Sequence, residues 1–78
     1  MDTQALKNFI TLAETLHFTK TSEQVFIAQP ALSRQIKQLE RSIGAQLFKR
    51  DKRNVSLTKA GVYFNQVAQH DFSTQNYF

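Results

Sequence analysis

Residues 27–50 read IAQPALSRQIKQLERSIGAQLFKR, and the first half of this stretch is a helix with two unlike sides. At 100° per residue, Leu32, Ile36, Leu39 and Ile43 fall in one narrow apolar arc. Pro30, Arg34, Lys37 and Arg41 fall opposite, with Gln29 and Ser33 beside them. Pro30 suits the first turn, where a missing N–H costs nothing. Gly44 suits the position just past the last turn, where the chain turns left-handed. The spacing predicts a helix over 29–43 whose apolar side is buried and whose hydrogen-bonding side is offered to a partner.

The flanking sequence completes a small domain. Residues 4–16, QALKNFITLAETL, place Leu6, Phe9, Ile10, Ala13 and Leu16 at helical spacing. Residues 18–26, FTKTSEQVF, predict a shorter helix with Thr19 as its N-cap and Phe18 and Val25 facing the core. Residues 27–29 make a tight connection to the next helix. Beyond Gly44, Leu47–Phe48 and Val55–Leu57 alternate as two short strands around the charged turn RDKRN. Thr58 caps a last helix that carries Ala60, Phe64, Val67 and Phe72 on one face. The expected fold is mainly α, a winged helix–turn–helix. It has a three-helix core, a two-stranded wing and a C-terminal helix. Residues 1–58 would form the head and residues 59–78 the last helix.

Composition narrows the function. A chain of 78 residues supports one domain, and an apolar content of 41% with seven Phe supports a core. There is no Cys, hence no disulfide framework and no thiolate metal site. No run of about 18 apolar residues is available to span a membrane. The N-terminal MDTQALKNFI has no basic region followed by an apolar core, so it is not read as a secretion signal. The net charge is +4, and KRDKR at 49–53, with four cations and one acid, carries +3 of it. A concentrated basic patch on a small domain fits a polyanion, nucleic acid above all.

Helix–turn–helix motifs place the N-terminal part of their second helix in the major groove. Gln29, Pro30, Ser33, Arg34 and Lys37 occupy that part. Gln pairs bidentately with adenine N6 and N7, and Arg with guanine O6 and N7. Lys37 and Arg41 suit phosphates, which set affinity rather than sequence. Arg50 and Arg53 bracket the wing and suit the narrow minor groove of A·T-rich duplex. Lys49 and Lys52 would add phosphate contacts. Thr19 either helps a helix N-terminus hold a phosphate or only caps the helix. No catalytic or metal chemistry is supported: Ser33, His17 and Asp51 lack the spacing of a triad, and His17 and His70 lack partners at ligand spacing. His17, at a helix junction, reads as a surface or capping residue. No cofactor is expected.

The ordered set QPALSRQIKQLE, then G-A-Q-LF-x-R, then LT-x-AG, resembles the LysR-type transcriptional regulators from about Leu6 to Phe64. The resemblance implies the DNA-binding domain of a bacterial, cytoplasmic, nucleoid-associated regulator. It would bind an inverted-repeat duplex as a homodimer paired through the last helix, which makes residues 59–78 the start of a linker or dimerisation helix. It implies that Gln29, Pro30, Ser33 and Arg34 are recognition-helix contacts, Arg53 the wing arginine, and Thr19 a residue near the phosphate backbone. Ala60, Phe64, Val67 and Phe72 either make the dimer contact or pack on their own domain. Thr21 and Ser22 stand where relatives have two alanines, so their hydroxyls need partners if buried. Ala28 stands where relatives have Ser, which removes a cap that Gln29 would have to replace. Relatives continue into an effector-binding domain, which is absent from these residues; any effector response would lie outside them. The expectation is an isolated domain or a truncated protein. Two rivals remain: a protein-interaction module with little salt dependence toward DNA, and a non-specific DNA coater.

Overall fold

The computed structural model describes residues 3–77, with side chains described through Asp71. Four helices and one hairpin follow in the order α1 (Thr3–Thr15), α2 (Phe18–Val25), α3 (Gln29–Ile43), β1 (Phe48–Arg50), β2 (Val55–Leu57) and α4 (Lys59–Tyr77). The architecture is the expected winged helix–turn–helix. Phe9, Leu12, Leu32, Ile36 and Leu47 are fully enclosed at its centre, with Phe18, Leu39 and Phe48 around them.

On α1 the buried side differs from the expected stripe. Ala5, Asn8, Phe9, Leu12 and Ala13 are buried, whereas Leu6 and Ile10 are half-buried and Leu16 is exposed. Leu16 has left the helix with φ 54°, so its side chain no longer follows the stripe. Asn8, outside the expected stripe, is buried because it has partners. Its Nδ2 donates to Gln35 Oε1 at 2.6 Å, and its Oδ1 accepts from Gln4 Nε2 at 3.1 Å. A buried amide without such bonds would cost about 1–3 kcal/mol. The pair ties α1 directly to α3.

His17, not Thr19, caps α2: its Nδ1 accepts from the Lys20 N–H at 3.2 Å. Cap geometry explains the correction. A cap residue must be extended while its side chain reaches an N–H about three residues on. His17 has φ −145° and ψ 110°, whereas Thr19 is already inside the helix. Thr21 and Ser22 are buried, and both hydroxyls find partners. Thr21 Oγ1 bonds Thr15 Oγ1 at 2.6 Å, and Ser22 Oγ donates to the Thr19 carbonyl at 2.8 Å.

The α2–α3 turn passes through Phe26 at φ 61°. A bulky residue in the left-handed region costs on the order of 1 kcal/mol. The N–H groups of Phe26 and Ile27 both reach the Ser22 carbonyl, which closes the end of α2. Helix α3 begins after Ala28 with no side-chain cap. Gln29 does not replace the missing serine, because its side chain is engaged elsewhere. Gly44, at φ 81°, ends α3 as expected.

One carboxylate hangs the wing on α3. Glu40 Oε2, on α3, accepts from the Leu47 N–H at 2.8 Å and the Phe48 N–H at 3.2 Å. Those donors precede and open β1, which pairs antiparallel with β2 in the register Phe48↔Leu57, Lys49↔Ser56, Arg50↔Val55. Thr58 caps α4 by accepting from the Gly61 N–H at 2.9 Å, and its own hydroxyl donates to the Gln46 carbonyl at 2.6 Å. Gly61 is where α4 crosses the backbone before the wing, and a β-carbon there would collide with the Leu47 carbonyl. From that crossing α4 runs along α1, with Phe64 edge-on to Phe9 at 5.1 Å and Ala68 buried.

Substituting Glu40→Ala strands two backbone donors beside the core. Urea unfolding should show a loss of about 1–3 kcal/mol. Glu40→Gln keeps an acceptor oxygen and should lose less. Equal losses for the two variants would mean that the charge of the carboxylate, and not an acceptor oxygen alone, is what Glu40 supplies.

Candidate nucleic-acid interface

The outer side of α3 and the wing form one basic face. Seven of the ten Lys and Arg residues lie between Arg34 and Arg53: Arg34, Lys37, Arg41, Lys49, Arg50, Lys52 and Arg53. All seven are exposed. Only two acids, Glu40 and Asp51, fall in the same segment, and both are turned onto backbone N–H groups. The cations are therefore left to act outward. Each is a long side chain with a solvated head, and seven together attract a polyanion far more than any one would.

Helix α3 presents Gln29, Pro30, Arg34 and Lys37 as exposed residues and Ser33 as half-buried. Their position follows from the opposite side: Leu32, Ile36 and Leu39 are 0–3% exposed, so the helix has no rotational freedom.

The wing turn is locked by its own side chain. Asp51 Oδ1 accepts from the Arg53 N–H at 2.9 Å and the Asn54 N–H at 2.7 Å, and the Asp51 N–H donates to the Asn54 carbonyl at 3.0 Å. The two amides bonded to the carboxylate, Arg53 first, hold its pKa below the ordinary carboxylate value. This turn displays Lys52 and Arg53 at the tip.

Arg50 and Arg53, paired in the sequence reading, occupy different settings. Side chains alternate along a strand, so Arg50 lies on the same side as Phe48. Its guanidinium carbon sits 3.9 Å from the centre of the Phe18 ring. Phe18 in turn lies edge-on to Phe48 at 6.4 Å. At an exposed site such a cation–π contact is worth about 0.5–1 kcal/mol. It fastens the wing to the start of α2. A cleft results, lined by His17, Thr19 and Gln29 from the helices and by Arg50 and Arg53 from the wing. Within it the Thr19 hydroxyl donates to Gln29 Oε1 at 3.0 Å.

Sequence reasoning missed the Glu40 and Phe18–Arg50 contacts, because both join residues that no local pattern links. Asn8 lies just outside the apolar arc of α1, and its partner Gln35 stands 27 residues away, so no local pattern marked it as buried. Among the expected dimer residues, Ala60 and Phe64 are half-buried and pack against the domain's own core, while Val67 is 40% exposed. Tyr63, one turn before Val67, is exposed on the same side, and Val62 is exposed on another part of the helix. The side chain of Phe72 lies outside the described residues. Among the described residues no three His, Asp or Glu side chains gather to hold a metal ion, and no helix is long and apolar enough to cross a membrane.

The fold and the basic face together define a winged helix–turn–helix of the kind that docks on duplex nucleic acid. Residues 3–62 match the family described as bacterial regulatory helix-turn-helix protein, lysR family, and the chain belongs to it. It is 50% identical over 64 residues to the HTH-type transcriptional regulator AlsR of Bacillus subtilis, a match covering 82% of this chain and 21% of AlsR. The chain thus spans about a fifth of the length of the curated relatives it matches. Among solved structures it superposes on the BenM_DBD/catB site 1 DNA complex with a TM-score of 0.93 and 39% identity, covering 99% of this chain and 86% of that one. The CbnR_DBD–DNA complex gives a TM-score of 0.93 at 30% identity, covering 99% and 88%.

The wing turn should respond to acid in a defined direction. The pKa of Asp51 is lower in the folded than in the unfolded chain, so its contribution is complete above the unfolded value. It is lost as pH falls through the lowered folded value. Amide NMR shifts of Arg53 and Asn54 should titrate together at that low pH, and Asp51→Ala should abolish the step. Amides that stay constant through acid would remove the carboxylate from the turn's closure.

Proposed function

We propose that the chain is the sequence-specific, double-stranded DNA-binding domain of a bacterial transcriptional regulator that acts as a homodimer in the cytoplasm, associated with the nucleoid. The observation that carries this is the face on which seven cations stand outward while both neighbouring acids are spent on backbone amides. The BenM_DBD and CbnR_DBD relatives, which share the fold, were crystallised as DNA complexes.

In this proposal α3 enters the major groove. Gln29, Pro30, Ser33 and Arg34 meet base edges, with Arg34 suited to guanine O6 and N7. Lys37 and Arg41 meet phosphates. Arg53, displayed at the wing tip, enters the minor groove. Arg50, held on Phe18, faces the backbone that passes the cleft. Residues 1–58 form the reading head and residues 59–78 begin the linker helix. Val67, with Tyr63 one turn before it, supplies the apolar contact for a second copy, since Ala60 and Phe64 are taken up by the core. No cofactor takes part. A small-molecule effector would act through a separate domain.

Selection of bound duplexes from a randomised pool at near-physiological salt tests this. An enriched inverted repeat is expected, with half-sites about one helical turn or more apart. Arg34→Ala should cost about 1–3 kcal/mol and relax one position. Lys37→Ala should weaken all sequences alike and lower the salt slope by about 1. Binding without enrichment would indicate a non-specific coater, and absence of binding would move the basic face to a protein partner.

A further inference from the structure

We infer that Thr19 is a positioning residue that fixes which base pattern Gln29 accepts, and is not a ligand for the phosphate backbone. This rests on the DNA-reading role proposed for α3. Thr19 stands in the first turn of α2 and Gln29 opens α3, ten residues on. Both are exposed and line the same cleft. The Thr19 hydroxyl donates to Gln29 Oε1 at 3.0 Å.

Proton accounting decides between the two roles. A hydroxyl carries one proton, and phosphate oxygens only accept. The proton directed at Gln29 is not available to a phosphate. The first turn of α2 has also committed another donor, because the Lys20 N–H is bonded to His17 Nδ1.

The consequence falls on Gln29. A side-chain amide presents a carbonyl acceptor at one end and an NH2 donor at the other. Turning the terminal torsion through a half-circle exchanges them. With Oε1 tied to Thr19 the two ends are assigned before any duplex arrives. Adenine places the N7 acceptor beside the N6 donor, a pattern read by an amide whose ends lie in the matching order. The second lone pair of Oε1 remains for N6 while Nε2 donates to N7. An untied amide also presents the reverse order, which spans N6 of adenine and O4 of the paired thymine. Losing the tie therefore blurs the position that Gln29 reads, without removing any group that touches DNA.

The test uses the 78-residue chain and the randomised duplex pool, with Thr19→Val, Thr19→Ser, Gln29→Ala and the Val/Ala double variant. Thr19→Val keeps the shape and removes the hydroxyl. It should lose about fivefold or more of the preference at one base pair per half-site, the lower end of what one bidentate contact supplies. That base pair should be the one Gln29→Ala flattens. Thr19→Ser should keep the preference, and the double variant should be no worse than Gln29→Ala. The inference is overturned if Thr19→Val leaves the preference profile intact and weakens every duplex equally with a smaller salt slope, the mark of a phosphate contact. A flattened Gln29→Ala profile beside a sharp Thr19→Val profile overturns it alone. A parent chain that enriches no motif overturns the base-reading role of α3 and this inference with it.

Discussion

The Phe9 ring holds the other elements in place. It lies 5.3 Å from Phe48 of the wing and 5.1 Å from Phe64 of α4, in tilted and edge-on arrangements. Phe48 extends the chain of rings to Phe18 at the start of α2, and Phe18 carries Arg50. One aromatic series thus joins α1, α2, β1 and α4, and it ends at a cation on the basic face. Each such ring pair contributes about 0.5–1.5 kcal/mol beyond the area it buries. Truncating Phe9 would cost about 3–5 kcal/mol and would release the wing as well as the core.

Around this series the polar contacts perform a second task, which is to set α3 relative to its neighbours. The Asn8–Gln35 bond fixes α3 against α1, Glu40 hangs the wing from α3, and Thr19 meets Gln29 across the helix–turn–helix. None of these adds much to net stability, because each replaces bonds to water. Their directionality is what apolar packing lacks. They convert a helix held by Leu32, Ile36 and Leu39 into one held at a particular angle beside the wing. The two acids near the basic face serve the same end, accepting backbone N–H groups instead of neutralising cations.

Most of the fold was legible because α3 carries its period openly. Four apolar residues in one arc, Pro30 at the start and Gly44 at the end fix its span and its inward side. The wing followed from a charged turn between two short apolar runs, and the α4 cap from Thr58. The dense LysR-type pattern agreed with both. What was not legible depends on distance in the chain. His17 rather than Thr19 caps α2 because the helix starts at Phe18, two residues before a Thr19 cap would start it, which periodicity does not resolve. Asn8 is buried because Gln35, in another helix, satisfies it. Phe64 turns inward because Phe9 is there to meet it, leaving Val62, Tyr63 and Val67 outside. Arg50 and Arg53 look alike in the sequence, and strand alternation separates them only once the register is known.

The central claim is that α3 and the wing, fixed together, form one surface that grips duplex DNA. Backbone amide NMR during titration with a selected duplex tests it residue by residue. Shifts should concentrate at residues 29–37, with Pro30 silent for lack of an N–H, and again at 50–54, moving with a single stoichiometry. Amides of Lys7, Thr11 and Glu14, on the outer side of α1, should stay in place. Shifts confined to α1 and α4, or a recognition helix that responds while the wing does not, would contradict it.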